Sequence, residues 1–237
     1  MTIGTFDTAF TLGEQRRNSL LSKLLSPTPD FSLSLRNSPE REEVENFIHD
    51  SFEDSFAANL QAYSPAILTM RCFDHISGTA GLRPAGNNPL FLEQYLNQDI
   101  ESMLSSIMGE QIARTDIVEV GNLVSKQRGA SHLLFLLFTA MLHQAGYRWI
   151  VFTATQGLRN TLKRLGFEFT YLAEAQPESL DESVLKDWGS YYSTKPQVVA
   201  GDLSEAMNII QSRPLFRRVA RLYRHKINYL AREFKAD

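Results

Sequence analysis

Glu119 stands between Val118 and Val120 in a run with the alternation of a strand. A carboxylate in such a run is costly to bury unless it is paired, so it reads as a general base or as half of an ion pair. Arg83, on an earlier strand-like run, is the candidate partner, and a positioned arginine can also hold an anionic substrate. By alternation Glu119, Gly121 and Leu123 share one face. Gly121 marks either a bulge or a place where a ligand approaches the backbone. Asn122, with the backbone around it, can donate hydrogen bonds to a developing oxyanion.

The run continues through Val124 and Ser125 into Lys126-Gln127-Arg128-Gly129-Ala130-Ser131 and then directly into an apolar helix. Exposed N–H groups at a helix start, small residues and two cations make a phosphate cradle. The plainer reading is that Gly129 permits a tight strand-to-helix connection.

The elements that must hold these residues follow from periodicity. Phe31–Leu35 alternates as a strand, and Ser38 and Pro39 read as N-cap and first residue of a helix burying Val44, Phe47, Ile48 and Phe52. Strands are expected over Ala66–Phe73 and Ser77–Arg83, with a turn at Asp74 and His75, and helical periodicity over Phe91–Met108. Strand Ile117–Val124, helix Ser131–Ala145, strand Arg148–Thr155, helix Leu158–Leu165 and strand Phe167–Leu172 then alternate, as in helices packed on a central sheet. Pro177 to Gly201 reads as irregular and aromatic. There Trp188, Tyr191 and Tyr192 form either a packed flap or the wall of an acceptor pocket. Helices near Leu203–Gln211 and Leu215–Phe234 finish the chain, the second with a stripe from Leu215 to Phe234 opposite Arg217, Arg218, Arg221, Arg224 and Lys226.

Composition narrows the classes. The 237 residues are 43% apolar and 22% charged, as in a globular protein with one substantial domain. Leu133–Leu142, the longest apolar stretch, is far too short to span a bilayer, and Met1–Phe10 lacks the pattern of a signal peptide. The single cysteine, Cys72, reads as a buried thiol in a reducing compartment, so a cytoplasmic location is expected. Five scattered histidines offer no metal-ligand spacing, and no nucleophile elbow is present; neither a metal nor a hydrolase is expected. Net charge is −3, but residues 213–237 carry eight Lys/Arg against two acids. That basic end suits docking on the body, an acidic acyl carrier protein or an anionic membrane surface, with nothing favouring nucleic acid.

Three resemblances extend this reading. The strand-turn-helix-strand-helix order ending in Arg164-Leu-Gly-Phe167 resembles the acyl-CoA-binding half of the GNAT acyltransferases. It implies that Lys126 to Ser131 grip a pyrophosphate, that Asn160 matches the later Asn of that family, and that the pantetheine arm lies where two strands splay. Gly121, Leu123, Val124, Phe152 and Thr153 would line that arm, with Thr155 also facing it. Leu162 stands where many members carry a Tyr general acid. Gly81-Leu-Arg83 followed by Glu119-Val-Gly-Asn122 is similar to the acyl-homoserine-lactone synthases, with Gly121-Asn122 in place of their Ser-Arg.

Gly81-Leu-Arg83, Leu90–Leu96, Glu119–Leu123, Trp149–Thr155, Leu158-Arg-Asn160, Arg164-Leu-Gly166 and Trp188–Tyr192 together resemble the thermostable hemolysin family over roughly residues 45 to 205. The implied fold is α/β, a GNAT-like central mixed sheet flanked by helices with a C-terminal helical extension. The expected division is a poorly ordered segment 1–35, a GNAT-like domain 36–175, and an aromatic loop with basic helical extension 176–237. The implied activity is N-acyl transfer from acyl-CoA or an acyl-phosphopantetheine carrier to a small amine. Glu119, Asn122 and Arg83 would be catalytic. The competing expectation is a membrane-active haemolytic protein acting through the C-terminal basic helix.

Overall fold

The computed structural model describes residues 28–86, 89–126 and 130–236. Most of the segment 1–35 and, in the expected phosphate turn, Gln127, Arg128 and Gly129 lie outside the described residues. Seven strands form one sheet: β1 Asp30–Ser34, β2 Ala66–Cys72, β3 His75–Pro84, β4 Ile117–Ser125, β5 Trp149–Ala154, β6 Thr170–Glu174 and β7 Gln197–Asp202, in the order β1-β2-β3-β4-β5-β7-β6. All neighbours are antiparallel except β4 and β5. The fold is therefore a mixed, GNAT-like α/β sheet.

Among the described residues there are eight helices: α1 Arg41–Phe56, α2 Ile100–Met108, α3 Ala130–Gln144, α4 Gln156–Arg164, α5 Glu182–Leu185, α6 Leu203–Ser212, α7 Pro214–Leu222 and α8 Arg224–Ala236. Every residue from Leu133 to Leu142 on α3 is buried, because the sheet lies under one side of this helix and α6, α7 and α8 cover the rest. A helix apolar all round needs such enclosure. Val44, Ile48 and Phe52 of α1 pack against Ile67 and Val124 on the opposite face. A further core beside it joins α2 and the aromatic segment to Ile117, Trp149 and Val198.

Several expectations are corrected. Helix α1 begins at Arg41 rather than Pro39; the Ser38 hydroxyl instead accepts from the Leu35 N–H at 2.9 Å, closing a turn. The β2–β3 turn sits at Phe73 and Asp74. Phe91–Met108 is not one helix but a 3-10 turn, Phe91–Tyr95, followed by α2. The last expected strand starts at Thr170, and the stretch read as irregular contains β7, which pairs on both edges. The sheet thus takes β1 and β7 from outside residues 36–175.

Leu215–Phe234 divides at Tyr223 into α7 and α8. Its stripe is buried at Val219, Tyr223, Ile227, Leu230 and Phe234, against α3 and β1, so those side chains are not presented to solvent. No helix among the described residues is long and apolar enough to cross a membrane.

Candidate active site

Strands β4 and β5 pair only from Ile117↔Trp149 to Glu119↔Val151. Beyond Glu119 β4 turns away, while β5 stays paired with β7 as far as Ala154. The cause lies on the other edge of β4. There Thr79 faces Val124 but Gly81 faces Gly121, so β4 carries one extra residue. That bulge is centred on Asn122, at φ 45. It bends the strand and resets its alternation.

Glu119 therefore faces the side of α1 and α2, and Val124 joins that side, whereas Leu123 packs with Val120 and α3. Glu119, Gly121 and Leu123 do not share a face after all. The bulge intervenes.

The splay leaves a cleft of about 450 Å³, within the range of small-molecule sites. Glu119, Arg83, Gly121, Asn122, Leu123, Val124, Ser131, Phe152 and Thr153 all line it. So does Thr155. Two expected residues do not. Lys126 is exposed and lies 3.9 Å from Asp54 and over the Phe47 ring, and Asn160 is exposed on α4. Of Ala130 only its place at the start of α3 is described. Leu162 is buried in the core.

Glu119 is 7% exposed. Its Oε2 accepts from the Phe91 N–H at 2.9 Å and its Oε1 from the Leu92 N–H at 2.8 Å, both at the start of the 3-10 turn. Those donors lack partners within the turn. Arg83 Nε approaches Oε2 at 3.6 Å, too long for a hydrogen bond, and this buried Nε has no other hydrogen-bond partner. Burial pushes the Glu119 carboxyl above the usual carboxylate range, and the two N–H donors and Arg83 offset part of that.

The 3-10 turn is itself fixed by Glu93. That carboxylate takes the N–H of Leu90 and of Ile100 and a two-pronged Arg114, which also reaches Glu101. Burial pushes Glu93 up, but Arg114 and the N–H donors prevail and hold it at about 2. A lowered folded value means stability present above the unfolded value and lost as pH falls toward about 2. Glu93→Gln should lower the thermal midpoint at neutral pH and flatten its decline between pH 4.5 and about 2. Thermal melts across that range check both effects.

Asn122 has a structural partner that the strand pattern does not show. Its Oδ1 accepts from the Ser64 N–H at 2.9 Å, and its backbone oxygen accepts from the Thr79 hydroxyl at 2.9 Å. Arg41 holds the same loop through the Ser64 and Pro65 carbonyls. Gly81 lies beneath, where a Cβ would stand 2.5 Å from Ser64 Oγ and 2.7 Å from Asn122 Oδ1. The glycine is a requirement of close approach.

An aromatic wall completes the cleft: Phe52 and Phe56 from α1, Phe91 and Tyr95 from the 3-10 turn, and Trp188 and Tyr191. Tyr192 packs edge to face on Trp188 and Tyr191, which meet Phe52 and Phe56 of α1 edge to face, so the segment is a packed flap and also a wall. The Tyr95 and Tyr192 hydroxyls bond to each other. Burial pushes Tyr192 up to about 12 although the Tyr95 bond pulls it down, so it stays neutral across the physiological range. Tyr95, Phe91, Tyr63 and Leu158 are cleft residues that sequence reasoning missed. The run Leu90–Leu96 was a signal for two of them, but it read as helix.

On α1, the half-buried His49 and the exposed Asp50 and Glu53 place ligand atoms within 4.8 Å of one another, a grouping the histidine spacing did not suggest.

A family model for thermostable hemolysins matches residues 35–207. The chain belongs to the thermostable hemolysin family. That stretch contains six of the seven strands, β2 to β7, and every described residue of the cleft, while β1 lies just before it. A search of the curated proteins returns no match.

Solved structures share the fold at low identity. FeeM, an N-acyl amino acid synthase from uncultured soil microbes, superposes with a TM-score of 0.52 at 14% identity, covering 80% of this chain and 98% of FeeM. BjaI, a CoA-dependent acyl-homoserine lactone synthase solved with SAM and isopentyl-CoA, gives 0.52 at 13% identity over 81% of this chain and 90% of BjaI. The AHL synthase LasI gives 0.50 at 10% over 74% and 90%.

Proposed function

We propose that this hemolysin-family chain is an N-acyltransferase that moves an acyl group from a thioester of acyl-CoA or an acyl carrier to a small amine. The observation that carries this reading is the cleft opened by the splay of β4 from β5, with a buried carboxylate at its narrow end and apolar walls beyond. The names of the structural neighbours, an N-acyl amino acid synthase and a CoA-dependent lactone synthase, support the same chemistry.

In the reaction the thioester lies along the cleft between Leu123 and Phe152, with its phosphates toward the start of α3. The amine gives up a proton to Glu119, directly or through one water, and its nitrogen attacks the thioester carbon. The C–S bond breaks, the thiolate leaves and takes a proton from solvent, and the amide remains. Backbone N–H groups at the Asn122 bulge stabilise the oxyanion. The Asn122 side chain serves by holding Ser64.

The Arg83 side chain in the cleft wall beside Glu119 adds a specificity: an acceptor bearing both an amine and a carboxylate, as an amino acid does. The test is thiol release from acyl-CoAs and an acyl carrier protein with a panel of amino acids and their carboxamides. Arg83→Ala should raise KM for the carboxylate-bearing acceptor about 10- to 100-fold and leave the carboxamides unchanged. Equal loss on both classes would assign Arg83 to Glu119 alone. Absence of thiol release with every donor would end the acyltransferase reading.

A further inference from the structure

The β2–β3 hairpin ends in a two-residue turn closed by Cys72↔His75. Phe73 in that turn has φ 53 and is 78% exposed. A bulky residue at positive φ is an outlier, and such turns favour Asn or Gly. Strain kept at an exposed position points to a use for the side chain. The corner between α7 and α8 lies at the same end of the sheet. Tyr223 at that corner donates to the Pro29 carbonyl and meets Phe31 edge to face, and the next residue, Asp30, pairs with Arg71 just before the turn.

This corner adds Leu222, 58% exposed, to Phe73. Along α7 and at the start of α8, Arg217, Arg218, Arg221 and Arg224 are all exposed; Arg217 donates to the Gln211 carbonyl at 3.3 Å, and among the described residues none of the four is in an ion pair with a carboxylate. The acids at this end are Glu43, held by Arg71, Asp30, held by Lys226 at 2.8 Å, and Asp74 and Glu40, whose charges also act on Arg71. Unpaired arginines around projecting apolar side chains match a surface that is both negative and apolar.

We propose that this end of the molecule, the Phe73 tip with the α7–α8 corner, docks on an anionic phospholipid bilayer. Phe73 and Leu222 enter the headgroup–acyl boundary while the four arginines meet lipid phosphates. The buried stripe of α7 and α8 stays on α3, so docking needs no unfolding. A bilayer accepts side chains that project from a turn and a corner, whereas a folded acidic protein needs a hollow to receive them. Ser125, which pairs with Gly78 near this end, also lines the cleft, so the cleft reaches toward the docked face.

The test is cosedimentation of the full chain with vesicles of phosphatidylcholine alone or with phosphatidylglycerol. Binding should require phosphatidylglycerol and weaken with salt. Phe73→Gly should raise the melting temperature, by relieving φ, yet weaken vesicle binding about 10-fold. Replacing Arg217, Arg218 and Arg221 together by Glu should weaken it at least about 100-fold. Thiol release from soluble substrates should be unchanged by Phe73→Gly. Equal binding of wild type and Phe73→Gly would overturn the proposal. So would arginine-dependent binding of an acyl carrier protein with no binding to vesicles. The surface is separate from the catalytic residues, so either failure leaves the acyltransferase reading standing.

Discussion

Glu119→Gln should cut thiol release from the preferred acyl thioester by about 10²- to 10⁴-fold, the range of a lost general base. Wild-type activity should rise with pH as the carboxyl gives up its proton, along a limb displaced above the ordinary carboxylate value because burial raises this group. The variant should lack that limb. The substitution also alters the scaffold. Both oxygens of Glu119 accept backbone N–H groups, and a carboxamide turns an NH₂ toward one of them. One acceptor is lost against a buried donor, at about 1–3 kcal/mol.

Stability and chemistry separate by pH. A carboxyl raised on folding contributes stability fully present below its unfolded value and lost as pH rises through the folded one. Denaturant midpoints should show that decline in wild type and not in Glu119→Gln. A variant that melts lower yet keeps the activity limb would make Glu119 only the anchor of the 3-10 turn.

The second large effect is expected at Gly189, outside the sheet. This residue has φ +49, and a Cβ there would overlap the Phe56 carbonyl oxygen and stand 2.5 Å from that of Ala57. Those are backbone atoms at the end of α1, which cannot move cheaply. The flap is fastened there by the Ser190 N–H to the Phe56 carbonyl at 2.8 Å and the Asn59 N–H to the Asp187 carbonyl at 2.7 Å. Gly189→Ala should cost about 3 kcal/mol, a backbone strain of ~1–3 kcal/mol together with the clash. In a chain of this size that lowers the melting temperature by roughly 10 °C.

The aromatic wall should shift with it. Affinity for long-chain acyl donors should therefore fall more than for acetyl-CoA, as calorimetric titration of both would reveal. Ser190→Ala is the comparison, since it removes only a hydroxyl bond to the Phe56 carbonyl. A melting temperature within about 2 °C of wild type would show that the flap is free to swing.

Local pattern in the sequence determined much of this protein. Alternation placed β2 to β5, and the apolar run of α3 announced a buried helix. Glu119, Arg83 and Gly121 stood out because charge and glycine are costly in strands. The tertiary structure decided what depends on residues far apart. The donors to Glu119 come from Phe91 and Leu92, nearly thirty positions upstream.

The bulge at Asn122 arises from how β4 meets β3, and one extra residue sent Leu123 to the opposite face. β7 was hidden because a short strand that follows Pro196 and ends at Asp202 gains its character only from β5 and β6 on either side. A sequence displays the propensity of each segment. The partners that satisfy its hydrogen bonds and cover its surface are chosen by packing, and those partners turned a run of strand residues into a cleft.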